Sequence, residues 1–214
     1  MARRGLLRLL LAHDSYDESI DWRLYHALNV FVARHDWIGS AAAQLETWGV
    51  LLLAASTFAL WFFARPGAGR KWKLACASAL ASSAVALVLN QLVALAWRRQ
   101  RPFAAHPGAH VWGGRSHDPS FPSDHASAAF AIAFAVFEFD RRAGAIFLVA
   151  AAVIGAGRVV VGAHYPGDIV AGVLVGLGAA VLVTRVARPL VAWVVRLVER
   201  LSDPLLAPVW RRIS

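Results

Sequence analysis

Charge is scarce in this chain, and acidic charge scarcest of all. Only 16% of the 214 residues are charged, with 13 Asp and Glu against 22 Lys and Arg. A soluble domain carries about a quarter charged residues; here 58% are hydrophobic and the mean hydropathy is +0.53, which excludes that class. Charge is missing altogether from Thr47 to Ala64 and from Leu74 to Trp97. At about 1.5 Å of rise per residue, ~20 apolar residues cross the hydrocarbon of a bilayer as a helix. Cysteine is nearly absent too. The one present, Cys76, lies inside an apolar run, which excludes an intramolecular disulfide and reads as a small buried hydrophobe. No internal repeat, low-complexity linker or HExxH pair is found. The opening "MARRGLLRLLLAHDSYD" has a short apolar stretch without a small-residue cleavage site, so no cleavable signal peptide is expected. The deficit of acids leaves a net charge of +9. In a membrane chain that excess belongs on cytoplasmic loops and at lipid headgroups, so membrane lipids, and not nucleic acid, are the expected partners.

What is there reads as an all-α polytopic membrane helical bundle of five or six spanning helices. Residues 1–36 mix apolar and charged positions, with Ile20, Leu24, Ala27, Leu28 and Phe31 at helical spacing, and predict an interfacial segment. A membrane-embedded core then covers 37–187. Its helices are expected at about Ile38 to Ala64, Leu74 to Trp97, His125 to Phe139, Ala143 to Gly157 and Asp168 to Val186. The last three apolar runs are short for spans and are extended by residues such as His125, Arg158 and Asp168, which suit a protein-lined cavity. Residues 188–214 place Leu190, Trp193, Val194, Leu197 and Leu201 on one side and predict an amphipathic tail.

With the basic loops 65–73 and 138–142 assigned to the cytoplasm, segments 98–125 and 158–168 both face outside. Segment 98–125 then breaks the charge rule with Arg98, Arg99, Arg101 and Arg115, and an anionic ligand explains their retention. The expected location is a bacterial plasma membrane, multi-pass, with the active site on the outside.

Together the two segments offer Arg101, Ser123, His125, Arg158, His164 and Asp168, with Arg99 and Asp124 nearby. Guanidinium groups bind phosphate oxygens through paired, charge-assisted hydrogen bonds. Pro122 and Ser123 resemble a helix start, whose free N–H groups would point at an anion. One histidine could attack phosphorus while another protonates the leaving oxygen. Asp168 follows His164 by four residues across "YPG", and a turn there would return its carboxylate to an imidazole nitrogen. Asp124, His125, His164 and Asp168 would also suit a metal, but the arginines among them argue against clustered cations, and no metal or other cofactor is expected. His13, His26, His35, His106, His110 and His117 lack such company and read as interfacial or loop residues.

The segments "RRQRPF", "FPSDH" and "GRVVVGAHYPGD" resemble the type 2 phosphatidic acid phosphatase (PAP2) superfamily, the haloperoxidase-like phosphatases. That family's pattern is a lysine, six residues, Arg-Pro; then Pro-Ser-Gly-His; then Ser-Arg, five residues, His, three residues, Asp. Arg101-Pro102, Pro122-Ser123-Asp124-His125 and Gly157-Arg158 with His164 and Asp168 fit the three blocks. The resemblance implies that His164 is the nucleophile, Asp168 its orienting partner and His125 the general acid. It also implies that Arg158, Arg101, Ser123 and the amides after Pro122 form the phosphate cradle. Ala94 stands where the family has its lysine, with Arg98 or Arg99 as candidate substitutes; Gly157 replaces the serine. Asp124 in place of glycine is similar to the undecaprenyl-pyrophosphate phosphatase, or bacitracin-resistance, branch. The implied substrate is a polyprenyl pyrophosphate. Alternatives are a glycerolipid phosphate, a polyprenyl sugar phosphate, or lipid-phosphate binding with weak catalysis.

Overall fold

The computed structural model describes residues 19–63 and 70–213. Among them every regular element is helical. Helix α1 covers Ile20–Ala33, α2 Asp36–Phe63, α3 Lys71–Ala96, the single turn α4 Pro102–Ala105, α5 Asp124–Phe139, α6 Arg141–Val160 and α7 Pro166–Val181. A π-helical turn, Leu182–Val186, continues α7, and α8 covers Arg188–Ile213. The expected interfacial helix falls in α1, and residues 1–18 of that segment lie outside the described residues.

Among the described residues four helices are long and apolar enough to cross a membrane: α2, α3, α6, and α7 with its π turn. Five or six were expected, and the difference falls on α5. Its 16 residues rise ~24 Å, short of a ~30 Å hydrocarbon core. It is the central helix, packed on α3, α6 and α7. Surrounded by protein, its ends need not reach the lipid boundary.

Side-chain size follows from that position. The inner helix is built of small residues: Ala126, Ser127, Ala128, Ala129, Ala131, Ala133 and Ala135 are all buried. Gly172 and Gly176 of α7 meet it one turn apart. A Cβ at Gly176 would sit 2.8 Å from the Ala131 nitrogen and 2.9 Å from the Ser127 oxygen, so the backbones touch. Close approach of small residues is how helices gain packing in lipid, where burial against a neighbour gives no hydrophobic advantage over burial against acyl chains. The large apolar side chains point outward instead: Leu51, Leu52 and Phe58 on α2, Val88 and Leu92 on α3, Ile146 and Val149 on α6, Val170 and Leu174 on α7. That outer belt matches a lipid environment.

The ends of the helices gather at two faces. On one face, Lys71 Nζ at the start of α3 reaches Asp140 Oδ2, between α5 and α6, at 2.7 Å. Arg185 pairs with Glu138 at 2.8 Å, and the buried Lys73 with Asp203 of α8 at 2.7 Å. The other face gathers the C-terminal ends of α3 and α6, the N-terminal ends of α5 and α7, and the polar segment 97–123.

Candidate active site

At that second face α6 ends one turn later than the expected Gly157, so Arg158 sits in its last turn, 4% exposed. The chain then reverses through Gly162, whose φ of +86° is the left-handed conformation glycine tolerates. A Cβ there would lie 2.3 Å from the His110 carbonyl oxygen. The N–H groups of Ala163 and His164 both donate to the Arg158 carbonyl, at 3.1 and 3.2 Å. This reversal lays His164 back beside Arg158. Pro166 then opens α7 two residues before the expected start, and Asp168 falls in its first turn.

The His164 ring is 2% exposed, and each nitrogen has its own partner. Nδ1 lies 2.8 Å from the Ser120 carbonyl oxygen, which can only accept. The proton therefore sits on Nδ1, leaving the Nε2 lone pair free to act. Arg101 Nη1 is 3.1 Å from Nε2 and donates to it. Burial above all, with Arg158 and Arg101 adding to it and Asp168 opposing, pulls the His164 pKa down to about 4. The imidazole is thus neutral at physiological pH.

Asp168 is fully buried and was expected to orient the histidine directly. Its Oδ2 is 3.5 Å from Nδ1, too long for a hydrogen bond. Ser120 intervenes: its Oγ donates to Asp168 Oδ2 at 2.5 Å while its carbonyl holds the ring. The Tyr165 N–H also donates to Oδ2, at 3.0 Å. Arg99 donates to Oδ1 at 2.7 Å and lies over the Tyr165 ring at 4.0 Å. Arg99 Nη2 also reaches Asp21 of α1 at 2.5 Å, and Asp21 accepts from the Gly167 N–H at 2.7 Å. Arg99 was expected to bind phosphate. In the structure two carboxylates, Asp168 and Asp21, hold it, and it also lines a second chamber beyond Arg101.

Two more expectations change at the start of α5. Ser123 caps the helix, its Oγ accepting from Ala126 N–H at 3.5 Å, while its own N–H donates to the Asp168 carbonyl at 3.2 Å. That N–H joins helices and is not free for an anion. Asp124, expected in the phosphate cradle, accepts from Asn90 Nδ2 at 2.7 Å; Asn90 Oδ1 accepts in turn from Ser127 Oγ at 3.0 Å. Its charge repels phosphate, and its bonds join α5 to α3.

A chamber of about 320 Å³ is lined by Arg101, His125, Arg158 and His164, with Asp124, Glu46, Asn90 and Ala94 also on its wall. Glu46 of α2 is ion-paired with Arg158. Arg158 Nε and Glu46 Oε2 are buried and make no hydrogen bond among the described residues. Burial and the neighbouring Arg158 lower the pKa of Arg101, so an anion between the two guanidiniums would be welcomed. His125, Arg158, His164 and Arg101, grouped from the sequence, do line one chamber. Sequence reasoning missed Glu46, Ser120 and Asp21, which stand in no motif, and Asn90, whose polarity inside an apolar run was a usable signal. His106, expected to be a loop residue, is buried under Trp22, with ring centroids 3.5 Å apart.

A buried histidine flanked by arginines stands at one end of a helical membrane bundle, an arrangement that fits a membrane-embedded phosphatase. The chain belongs to the PAP2 superfamily, whose sequence profile matches residues 72–191. Undecaprenyl-diphosphatase BcrC of Bacillus subtilis is 27% identical over 189 residues, covering 87% of this chain and 95% of that protein. Decaprenylphosphoryl-5-phosphoribose phosphatase of Mycobacterium tuberculosis is 33% identical over 123 residues, 58% of this chain and 65% of that protein. Among solved structures, Aquifex aeolicus LpxE superposes with a TM-score of 0.64 at 22% identity, over 78% of this chain and 95% of that one. The phosphatidylglycerolphosphate phosphatase of Bacillus subtilis gives 0.55 at 20% identity, over 84% and 92%.

Proposed function

We propose that this membrane lipid phosphatase hydrolyses a polyprenyl pyrophosphate, of the undecaprenyl type, to the monophosphate and inorganic phosphate at the outer face of a bacterial plasma membrane. The observation that carries the reaction is the state of His164: Nδ1 is tied to the Ser120 carbonyl, and the lone pair of Nε2 faces the chamber that Arg101, Arg158 and His125 line. The substrate class rests on the likeness to the undecaprenyl-diphosphatase of Bacillus subtilis. The outward orientation rests on the opposite face, which carries Arg70, Lys71, Arg141, Arg142, Arg185 and Arg188.

In this mechanism Nε2 attacks the terminal phosphorus while the bond from phosphorus to the bridging oxygen breaks. Arg101 moves its N–H from Nε2 to a phosphate oxygen as substrate enters, and Arg158 offers its Nε edge to another. The Ser120 carbonyl and, through Ser120, Asp168 steady the imidazolium character that develops on His164. His125 gives its proton to the departing monophosphate. Water then attacks the phosphohistidine, His125 takes the water's proton, phosphate leaves and the Nε2 lone pair is restored. Fixed guanidiniums at the phosphoryl oxygens provide most of the rate.

A second reading, a phosphatase of polyprenyl sugar phosphates, is favoured by the 33% identity to the decaprenylphosphoryl-5-phosphoribose phosphatase. Phosphate release by purified protein from undecaprenyl pyrophosphate, a decaprenylphosphoryl sugar phosphate and phosphatidic acid, with and without EDTA, separates these. EDTA-resistant release fastest from the pyrophosphate, lost in His164→Ala, supports the proposal. Faster release from the sugar phosphate installs the second reading.

A further inference from the structure

The chamber around His164 does not end at Arg101. A larger one, about 740 Å³, opens on its far side. Gln91, Ala94, Arg101, Ser116 and Asp118 line both, so they form one continuous path with Arg101 at the waist. The outer chamber is strongly cationic. Arg98, Arg99, Arg101 and Arg115 line it, and among the described residues Asp118 is its only carboxylate. Asp118 accepts from Ser116 Oγ at 2.7 Å, and its carbonyl oxygen from Arg101 Nε at 3.0 Å.

Partnership separates these arginines. Arg99 is held by Asp168 and Asp21, and Arg101 by His164 and two backbone carbonyls. Arg158, deeper in, is paired with Glu46. Arg98 and Arg115 have no carboxylate partner among the described residues; Arg115 rests near the face of Phe103, 5.9 Å from its centroid. Both arginines are exposed and line the same chamber, where an anion would find two guanidiniums not already engaged by carboxylates. One wall is apolar: Phe103 and Ala104 line it, and Leu95, at the end of α3, is 71% exposed on the lipid-facing side. The path thus runs from histidine through Arg101 to two unpaired arginines and out to an apolar surface.

We infer that the outer chamber is a subsite for the second, retained phosphate of a lipid diphosphate, bound by Arg98 and Arg115, with the first isoprene units leaving past Phe103 and Leu95. This rests on the phosphatase reading of His164 and adds the reason a diphosphate is preferred to a monoester: only a diphosphate reaches both the histidine and the outer arginines. Ala94 also fits. A lysine there, at the waist, would compete with Arg98 and Arg115 for the second phosphate.

The test uses the full-length protein in nanodiscs, as wild type, Arg115→Gln, Arg115→Lys and Arg98→Gln/Arg115→Gln. Inorganic pyrophosphate and inorganic phosphate are titrated calorimetrically into each, and kcat/KM is measured for a polyprenyl pyrophosphate and a polyprenyl monophosphate. Charge-assisted hydrogen bonds of this kind are worth about tenfold or more in affinity. Wild type is expected to bind pyrophosphate about tenfold more tightly than phosphate, and the double variant to lose that margin. Its ratio of diphosphate to monophosphate kcat/KM should fall similarly, with Arg115→Lys recovering part. An equal preference in wild type, or a margin kept by the double variant, overturns the subsite. Should wild type bind pyrophosphate preferentially yet cleave only monoesters, the proposed reaction fails and the subsite stands.

Discussion

Three atoms around one ring decide what His164 can do. The Ser120 carbonyl accepts a hydrogen bond from Nδ1–H, Arg101 faces the Nε2 lone pair, and Ser120 Oγ passes the influence of Asp168 to the site. His164→Ala should therefore abolish both turnover and any acid-labile phosphoenzyme trapped with labelled substrate. Ser120→Ala keeps the carbonyl and removes only the hydroxyl. Leaving a buried carboxylate short of one hydrogen bond costs about 1–3 kcal/mol. We expect kcat to drop about tenfold or more while KM moves less than about threefold; equal kcat in the variant would remove Ser120 from the relay. The histidine also sets a pH signature. Its folded pKa, about 4, lies below the ordinary 6.5, so as pH falls below 6.5 the unfolded chain takes up a proton that the folded one refuses. This group's contribution to stability is whole above that value and is lost as pH falls toward about 4. Nitrogen NMR of labelled histidine should show His164 still neutral at about pH 5.5 in the free enzyme; protonation there would contradict the buried, arginine-flanked geometry.

Among the elements, α1 has a larger role than its amphipathic pattern implied. It covers the site loops: Tyr25 donates to the Gly162 carbonyl at 3.3 Å, and Asn29 both donates to and accepts from the His110 backbone, at 2.8 and 3.0 Å. Asp21 links α1 to Arg99, and through it to Asp168. Asp21→Asn keeps the shape and the bond to Gly167 N–H but removes the charge facing Arg99. We expect a loss in kcat of about tenfold at nearly constant KM, with unchanged helical circular dichroism, because the variant acts on the brace and not on the chamber. A change confined to KM would instead place Asp21 on the substrate path. The α5–α7 contact is the element pair least able to yield. Gly176→Val puts two methyl groups where even a Cβ meets backbone at 2.8 Å. Overpacking of this kind costs about 1–3 kcal/mol or more, read as a lowered unfolding temperature in detergent.

The whole molecule is organised by two faces of unlike charge chemistry. One carries ion pairs that staple helix ends, as Lys73 does with Glu199 and Asp203. The other carries arginines aimed into chambers. Topology follows and can be measured. In a Cys76→Ser background, a membrane-impermeant thiol reagent applied to intact cells should label a cysteine placed at the exposed His117 and spare one at the exposed Arg188. The reverse pattern would put the site in the cytoplasm. Ala94→Lys tests the two-chamber path as a unit. If the outer arginines already fill the place of the absent lysine, the added cation should change phosphate affinity little and weaken the preference for pyrophosphate; tighter binding of phosphate would show that the waist lacks a cation.

The sequence by itself determined the lipid environment, the helix borders to within a few residues and the grouping of His125, His164, Arg101 and Arg158 as candidates, which line one chamber. Those properties are local: an uncharged run long enough to span needs nothing distant, and a histidine set four residues before an aspartate announces itself by spacing. Tertiary structure alone decided who orients whom. Asp21, Glu46, Asn90 and Ser120 come from separate elements, and no periodicity ties a carboxylate on α1 to an arginine near position 100. It also set the partners of each arginine. Arg99 looks identical to Arg101 as a letter, yet packing presents one to buried carboxylates and the other to a histidine. The depth of α5 was likewise invisible: a 16-residue helix of mostly small or apolar residues reads as a marginal span until three neighbours enclose it, because burial by protein is a property of the assembled bundle and not of any one helix.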